Sequence, residues 1–328
     1  MRTALLTAVT LTTLLLAACT QAPPLAAPTG PERLVTGLQN AQGSTVGPDG
    51  ALYVTEPAAG RVVRIDPKTG AVTTFASGLP LPVIGLGGAV DVIFLDGTAY
   101  VLMGLVASDV GGTHKVGLYR MDSPTTFTVV ADLGAFTLAN PPDTEFFVPT
   151  GVPYALELLG GAFLVSDGHH NRVYRVTREG QVSVFRVFGN TVPTGMDVMG
   201  NTVYMAEPGA IPHEPQVGRA VSFGADSAPS TVVAAGARML LDVEFGQGGT
   251  LFGLSQGVWN GVEVGSPAHP ETGSLMRAKE DGTFTAIAFP LDRPTSLEII
   301  GNTAYITTLD GEVWTVGNIA NPLSSSVK

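Results

Sequence analysis

The sequence predicts an all-β protein: a six-bladed β-propeller of four-stranded antiparallel blades, its ring closed by an N-terminal strand. The first observation behind this is a unit of a short strand carrying an aromatic, a glycine-rich turn and a second strand of alternating apolar residues. The aromatics are Tyr53, Tyr100, Phe163, Tyr204, Phe252 and Tyr305, separated by 47, 63, 41, 48 and 53 residues. That is the period of propeller blades. The second is composition: 41 Gly and 24 Pro in 328 residues with 45% apolar residues make a turn-rich chain that still carries enough apolar surface for a core. The third is the absence of a seventh aromatic unit, which sets the blade number.

Taken in order, residues 1–18 form a leader, with Arg2 followed by an apolar stretch from Ala4 to Leu16 that is too short to span a bilayer. Leu16, Ala17, Ala18 and Cys19 resemble a bacterial lipobox, so Cys19 is expected to be lipidated and to become the mature N-terminus. It is the only cysteine, which excludes an internal disulfide. Residues 19–31, rich in Pro and Ala, read as a tether; as an extended chain its twelve residues after Cys19 reach roughly 37 Å. The expected location is extracytoplasmic, membrane-anchored through lipid alone.

Residues 32–319 are expected to form the propeller and 320–328 a tail. Each unit opens with a strand that ends near an acid (AVDVIF, YALELL, TGMDVM, LLDVEF, SLEII), with QGSTVG in the first. Third strands (RVVRID, GLYRMD, RVYRVT, RAVSF, SLMRA, EVWTV) alternate with the period of two of a sheet. Fourth strands follow in five units (AVTTFA, FTVVAD, QVSVFR, STVVAA, FTAIAF), and the sixth lacks one. Glu32 to Gly37, ERLVTG, fits the fourth-strand pattern, and pairing it with the last third strand would join the termini and remove an open edge. The span gives about 48 residues per blade.

Sixteen Lys and Arg against 28 Asp and Glu leave the mature chain at −12 once Arg2 departs with the leader. An acidic body without a basic stripe argues against nucleic acid as a partner. Arg64, Arg120, Arg175 and Arg277 recur midway along third strands; they sit in separate blades and read as structural, pairing with acids or covering apolar surface with their stems.

The turns after first and third strands are short, whereas Gly78 to Gly88, Gly104 to Lys115, Gly134 to Pro153, Pro208 to Val217 and Ser255 to Thr272 all fall at the opposite end. Length on one face nominates it as the binding face. His114, His169, His170, His213, His269 and Trp259 lie in second-to-third-strand connections there, as do the acids just after second strands, Glu56, Asp167 and Glu207. Surface histidines and turn caps account for these residues as readily as a ligand cluster does, and no specific metal motif is present. A second group, Asp91, Glu157, Asp197, Asp242 and Glu298, occupies first strands of five blades, with Thr45 in the remaining one. Innermost strands surround a central channel. Two arrangements are open: each carboxylate accepts backbone amides and locks the ring, or the acids form a ring around a cation.

The string from Val165 to Phe185, VSDGHHNRVYRVTREGQVSVF, resembles the NHL repeat, and VTEPAAGRVVRIDPKTGAVTTF from Val54 is a looser copy. With the leader and openings such as GPDGALYVTEP, the mature chain resembles the ScyD/ScyE family of extracytoplasmic propellers. The resemblance implies a fold and a compartment but no catalytic residue set. The main expectation is therefore a non-enzymatic, monomeric envelope propeller that binds a protein, glycan or small molecule on its loop-rich face; no GxSxG motif is present. The alternative is a divalent-metal-dependent lactonase or hydrolase of the SMP-30 type. For that type the resemblance implies a cation, calcium or similar, in the channel as cofactor, polarising an ester.

Overall fold

A computed structural model describes residues 26–225, 229–263 and 265–321. The leader, Cys19 and the end of the tail lie outside the described residues. The chain forms six four-stranded antiparallel sheets, each running from the axis outwards. Blade 6 shares its outermost strand with the N-terminus: β1 (Glu32–Val35) pairs with β24 (Val313–Gly317), Glu32 opposite Thr315. The ring closes as expected, and edge pairing of the last blade is blocked. Residues 26–31, read above as part of the tether, lie against blade 6; the Thr29 N–H donates to the Gly317 carbonyl at 2.9 Å.

Blade 1 is β2 (Ser44–Val46), β3 (Leu52–Glu56), β4 (Arg61–Ile65) and β5 (Val72–Ser77). Blade 2 is β6 (Gly88–Leu95), β7 (Thr98–Gly104), β8 (Gly117–Ser123) and β9 (Thr126–Asp132). Blade 3 is β10 (Pro153–Leu159), β11 (Ala162–Asp167), β12 (Arg172–Val176) and β13 (Val182–Val187). Blade 4 is β14 (Met196–Met199), β15 (Thr202–Glu207), β16 (Arg219–Phe223) and β17 (Thr231–Ala235). Blade 5 is β18 (Leu240–Phe245), β19 (Leu251–Ser255), β20 (Gly273–Ala278) and β21 (Phe284–Leu291). Blade 6 adds β22 (Pro294–Ile300) and β23 (Thr303–Thr308) to β24 and β1. Second strands are buried along their length, as in LYVTE and AFLVSD, because a sheet lies against each face. Aromatics fill the seams: Tyr53 meets Phe75 and Phe94 edge-on at 4.9 and 4.7 Å, and Tyr204 meets Phe245 at 4.7 Å.

One aromatic departs from the expected alignment. Strand register places Leu164, opposite Glu157, where the other blades carry their aromatic. Phe163 falls one residue earlier, on the other face of its sheet, and packs on Tyr100 at 4.5 Å. A short helix, α1 (Leu133–Ala139), capped by the Asp132 carboxylate accepting from the Ala135 amide, interrupts the long connection into blade 3. It stood outside the all-strand expectation, and it makes that connection a folded part of one face.

The inner edge of each blade is where the sequence has to compensate the fold. A first strand pairs on one side only, so its amides on the channel side need other acceptors. The Asp91 carboxylate accepts from the Val92 amide at 2.8 Å and from Leu156 of the next blade at 2.7 Å. Asp242 repeats this three blades on, accepting from Val243 at 2.9 Å and Leu297 at 2.9 Å. Ser296 does the same across the closing seam, its hydroxyl accepting from the Ser44 amide at 3.1 Å. Asp91 lies against Gly43 and Asp242 against Gly195, where a Cβ would overlap the carboxylate. Gly195→Ala is therefore expected to cost about 1–3 kcal/mol through overpacking. An unchanged urea midpoint would show that the carboxylate is not pinned there.

Candidate functional site

The face bearing the long connections opens into an axial cavity of ≈ 1410 Å³. Its floor and walls come from the first strands, its mouth from residues 84–87, 144–148, 208–213 and 265–267. Among the described residues, no Lys or Arg lines it.

Strand register sorts the acids into two tiers rather than one column. Asp91 and Asp242 sit opposite Leu102 and Leu254, nearer the mouth. Glu157, Asp197 and Glu298 sit two positions deeper, opposite Leu164, Tyr204 and Tyr305, level with Thr45 opposite Tyr53. Blade 5's member of that deep tier is Glu244, opposite Phe252, and blade 2's is Ile93, opposite Tyr100. The single-column expectation fails because Asp91 and Asp242 stand nine and ten residues before the aromatics of their blades, whereas Asp197 and Glu298 stand seven before theirs, so strand pairing sets the two aspartates two positions nearer the mouth. Glu244 was missed, although the period of two from Asp242 places it on the same side of the strand.

The aspartates and the glutamates differ in chemistry. Asp91, Asp242 and Asp197 have each carboxylate oxygen occupied by a backbone amide; Asp197 accepts from Val198 at 2.6 Å and Phe245 at 2.7 Å. Glu157 accepts from the Leu158 amide at 2.7 Å. Among the described residues the side chains of Glu244, Glu298 and Tyr154, all lining the cavity, have no hydrogen-bond partner. Burial raises the proton affinity of every acid here, and amide donors only partly oppose it. Asp91 is pushed up to about 7, and Asp242 and Glu157 to about 8. Glu244 and Glu298 lie well above the usual carboxylate range, through burial first and then the neighbouring negative charges, Glu298 foremost for Glu244. Burial and the Asp242 and Asp91 charges hold the Tyr154 phenol protonated.

The other expected site residues separate. Glu56 and Glu207 are fully buried and form ion pairs with Arg61 and Arg219, the first residues of the facing strands, at 2.5 and 2.6 Å. Asp167, opposite Arg172, accepts from the Tyr174 hydroxyl at 2.8 Å and from the Val152 amide at 3.0 Å. These three acids are thus spent on hairpin clasps rather than presented to a ligand. His114 and His269 are exposed outside the cavity lining. His169 lines the mouth, its Nε2 accepting from the Phe147 and Val148 amides at 2.8 and 3.0 Å; burial lowers its pKa. His170 is buried behind it, its Nε2 3.0 Å from the Val148 carbonyl. His213 lines the cavity with Trp259 edge-on at 6.0 Å. Histidines 169 and 213 are therefore the two of the five at the cavity. Of the third-strand arginines, Arg64 and Arg120 pair with Asp49 and Asp122, and Arg277 donates to the carbonyls of Ile319 and Asn321.

A divalent cation needs several oxygen donors at one point. Among the described residues no group of three Asp, Glu, His or Cys side chains is placed to hold a metal ion. The aspartates are already occupied by amides, so the residues present do not assemble a cation site, and no chemistry is routed through one below.

No protein-family model matches the chain, and no curated protein sequence matches it. Solved propellers do. The chain is similar to a gluconolactonase from Xanthomonas campestris, at 12% identity and a TM-score of 0.61, over 88% of this chain and 89% of that one. It is similar to a streptogramin B lyase at 10% identity and 0.58, over 90% and 99%. It is similar to regucalcin, a calcium-binding protein from Agrobacterium tumefaciens, at 14% identity and 0.57, over 92% and 96%. The non-enzymatic scaffold expected from sequence is corrected at this point: its supposed binding platform opens into a deep cavity, and the propellers of matching form include gluconolactonases. The chain is a six-bladed propeller with structural neighbours of the SMP-30, gluconolactonase and NHL-like kind.

Proposed function

We propose that this protein is a lactone or ester hydrolase working in the axial cavity. The observation that carries the reading is the pair Glu244 and Glu298, two unpartnered carboxyls lining the cavity whose proton affinity is raised by burial and then by neighbouring carboxylates, Glu298 for Glu244 and Asp242 for Glu298. In this reading the pair shares one proton, so that one member accepts a proton while the other donates one. The ionised carboxylate takes a proton from a water as its oxygen attacks the lactone carbonyl carbon. The protonated partner then delivers its proton to the ring oxygen as the acyl C–O bond breaks. Tyr154, kept protonated, donates a hydrogen bond to the carbonyl oxygen as negative charge develops there. The products are a hydroxy group and a carboxylic acid on one open chain, and the acid then loses its proton to solvent as a carboxylate.

Support from outside the chain is the gluconolactonase form of the fold; on its own a fold never names a reaction. Membership of the ScyD/ScyE family and lipidation at Cys19 belong to the same proposal, and place a monomeric hydrolase on the envelope side of a bacterial membrane.

The test is a panel of γ- and δ-lactones and aryl esters, followed by pH-stat titration of released acid, with the protein exchanged into chelator and then titrated with calcium. Turnover that survives the chelator is expected. No turnover on any substrate would remove the hydrolase reading, and turnover only after calcium would replace the carboxyl pair with a metal-assisted route.

A further inference from the structure

The rim of the cavity has a character that its floor does not share. Ile84 and Leu86 from the connection between blades 1 and 2, Phe146 and Phe147 from that between blades 2 and 3, and Ile211 from blade 4 all line the mouth. They are also exposed, Phe147 to 73% and Ile84 to 54%. Large apolar side chains on three separate connections, meeting at one opening, form the kind of patch that marks a binding site rather than scattered surface residues. The rim is also held in shape. The Phe147 and Val148 amides donate to His169 Nε2, Phe147 stands edge-on to His169 at 4.3 Å, and Asp109 accepts from the Thr150 amide and hydroxyl at 2.9 and 2.8 Å.

Charge narrows what can use this entrance. Seven acids lie along the channel and its mouth, and among the described residues neither Lys nor Arg lines it, so an anionic ligand finds no counter-charge. Thr144, Glu145, His169 and Ser266 also line the mouth, but where a polyhydroxylated ring lies across Ile84, Leu86, Phe146, Phe147 and Ile211 it loses water without regaining hydrogen bonds.

Resting on the hydrolase reading, we propose that the substrate is an uncharged lactone carrying an apolar chain, whose ring reaches the acids while the chain lies across Ile84, Leu86, Phe146, Phe147 and Ile211. The same arrangement clears the product. Hydrolysis turns a neutral ring into a carboxylate inside an acidic channel that offers it no cation, and the product is driven out.

The experiment compares δ-valerolactone, δ-decalactone and glucono-δ-lactone as substrates, and measures by calorimetry the binding of two lactams that resist hydrolysis, piperidin-2-one and 6-pentylpiperidin-2-one. Burial of a five-carbon chain on a partly open rim is expected to raise kcat/KM and lactam affinity by about 10–100-fold, less than five fully buried methylenes would give at roughly fourfold each. In Phe147→Ser and Ile84→Ser variants the decalactone-to-valerolactone ratio is expected to fall by roughly tenfold together. The exposure of both side chains keeps the fold out of the comparison. The open-chain hydroxy acid should not inhibit.

Equal affinity for the two lactams overturns the proposal whether or not any lactone turns over, as does a preference for glucono-δ-lactone. Chain-selective lactam binding without turnover would uphold the rim assignment while removing the hydrolase reading.

Discussion

Glu298→Gln is expected to lower kcat/KM for the best lactone by 10²- to 10⁴-fold, about 3–5 kcal/mol of transition-state stabilisation. Glutamine keeps the shape and removes the titrating group, so substrate binding should change little and the loss should appear in kcat. Because Glu298 and Glu244 act as one proton-holding unit, Glu244→Gln is expected to cost about as much, and the double variant little more than either. The same substitution has an opposite effect on the fold. Glu298 is a carboxyl with no hydrogen-bond partner among the described residues, crowded by Asp242, Asp91, Glu157 and Asp197. Neutralising it relieves repulsion, so the variant should melt higher than the parent at pH 8 while turning over more slowly. A variant that loses activity and stability together would mark Glu298 as structural. One that keeps full activity would take the pair out of the mechanism.

The sequence carried the architecture because each blade repeats an aromatic, a turn and an alternation, and because ERLVTG at the N-terminus complements a blade with three strands. It carried the first-strand acids as well, but not their depth. Asp91 and Asp242 stand nine and ten residues before the aromatics of their blades, against seven for Asp197 and Glu298, and only the strand pairing turns that difference into depth. Glu244 was therefore overlooked beside Asp242. Ile93 is the apolar member of the deep tier in blade 2 for the same reason. The hairpin acids Glu56, Asp167 and Glu207 looked like ligands because they close second strands on the long-loop face. Their partners, Arg61 for Glu56, the Tyr174 hydroxyl for Asp167 and Arg219 for Glu207, are legible only once strands are paired, since the sequence separation ranges from five to twelve residues. The apolar rim was invisible for another reason: Leu86, Phe147 and Ile211 lie far apart in sequence, in segments with no periodicity, and are brought together only by the closed ring.

Stability is expected to fall as pH rises from 6.5 to 8.5, the reverse of a protein held together by exposed salt bridges. The sign follows from where the protons are. An unfolded carboxyl releases its proton near pH 4, whereas the folded chain keeps one on Asp91 up to about 7 and on Asp242 and Glu157 up to about 8. Between these limits the folded state binds more protons than the unfolded one, so the stabilisation is complete below about pH 4 and is lost as pH climbs through the folded values. Each retained proton contributes about 1.4 kcal/mol per pH unit. His169, His170 and His213, whose pKa values burial lowers, act in the opposite sense. Their contribution is present above the ordinary histidine pKa and fades only as pH falls through the lower folded values, so it stays nearly constant across this window. The exposed aspartates with lowered pKa, Asp49, Asp66, Asp122 and Asp281, titrate below pH 4 and are silent here. A chain of this size shifts its Tm by about 2–4 °C per kcal/mol. Calorimetry at constant ionic strength should therefore show a Tm lower by about 5 °C or more at pH 8.5 than at pH 6.5, with a shallower slope in Glu298→Gln. A Tm that is flat or rises over the same interval would mean that the channel acids are already ionised at neutral pH, and Glu244 and Glu298 would then have no proton to give a leaving ring oxygen.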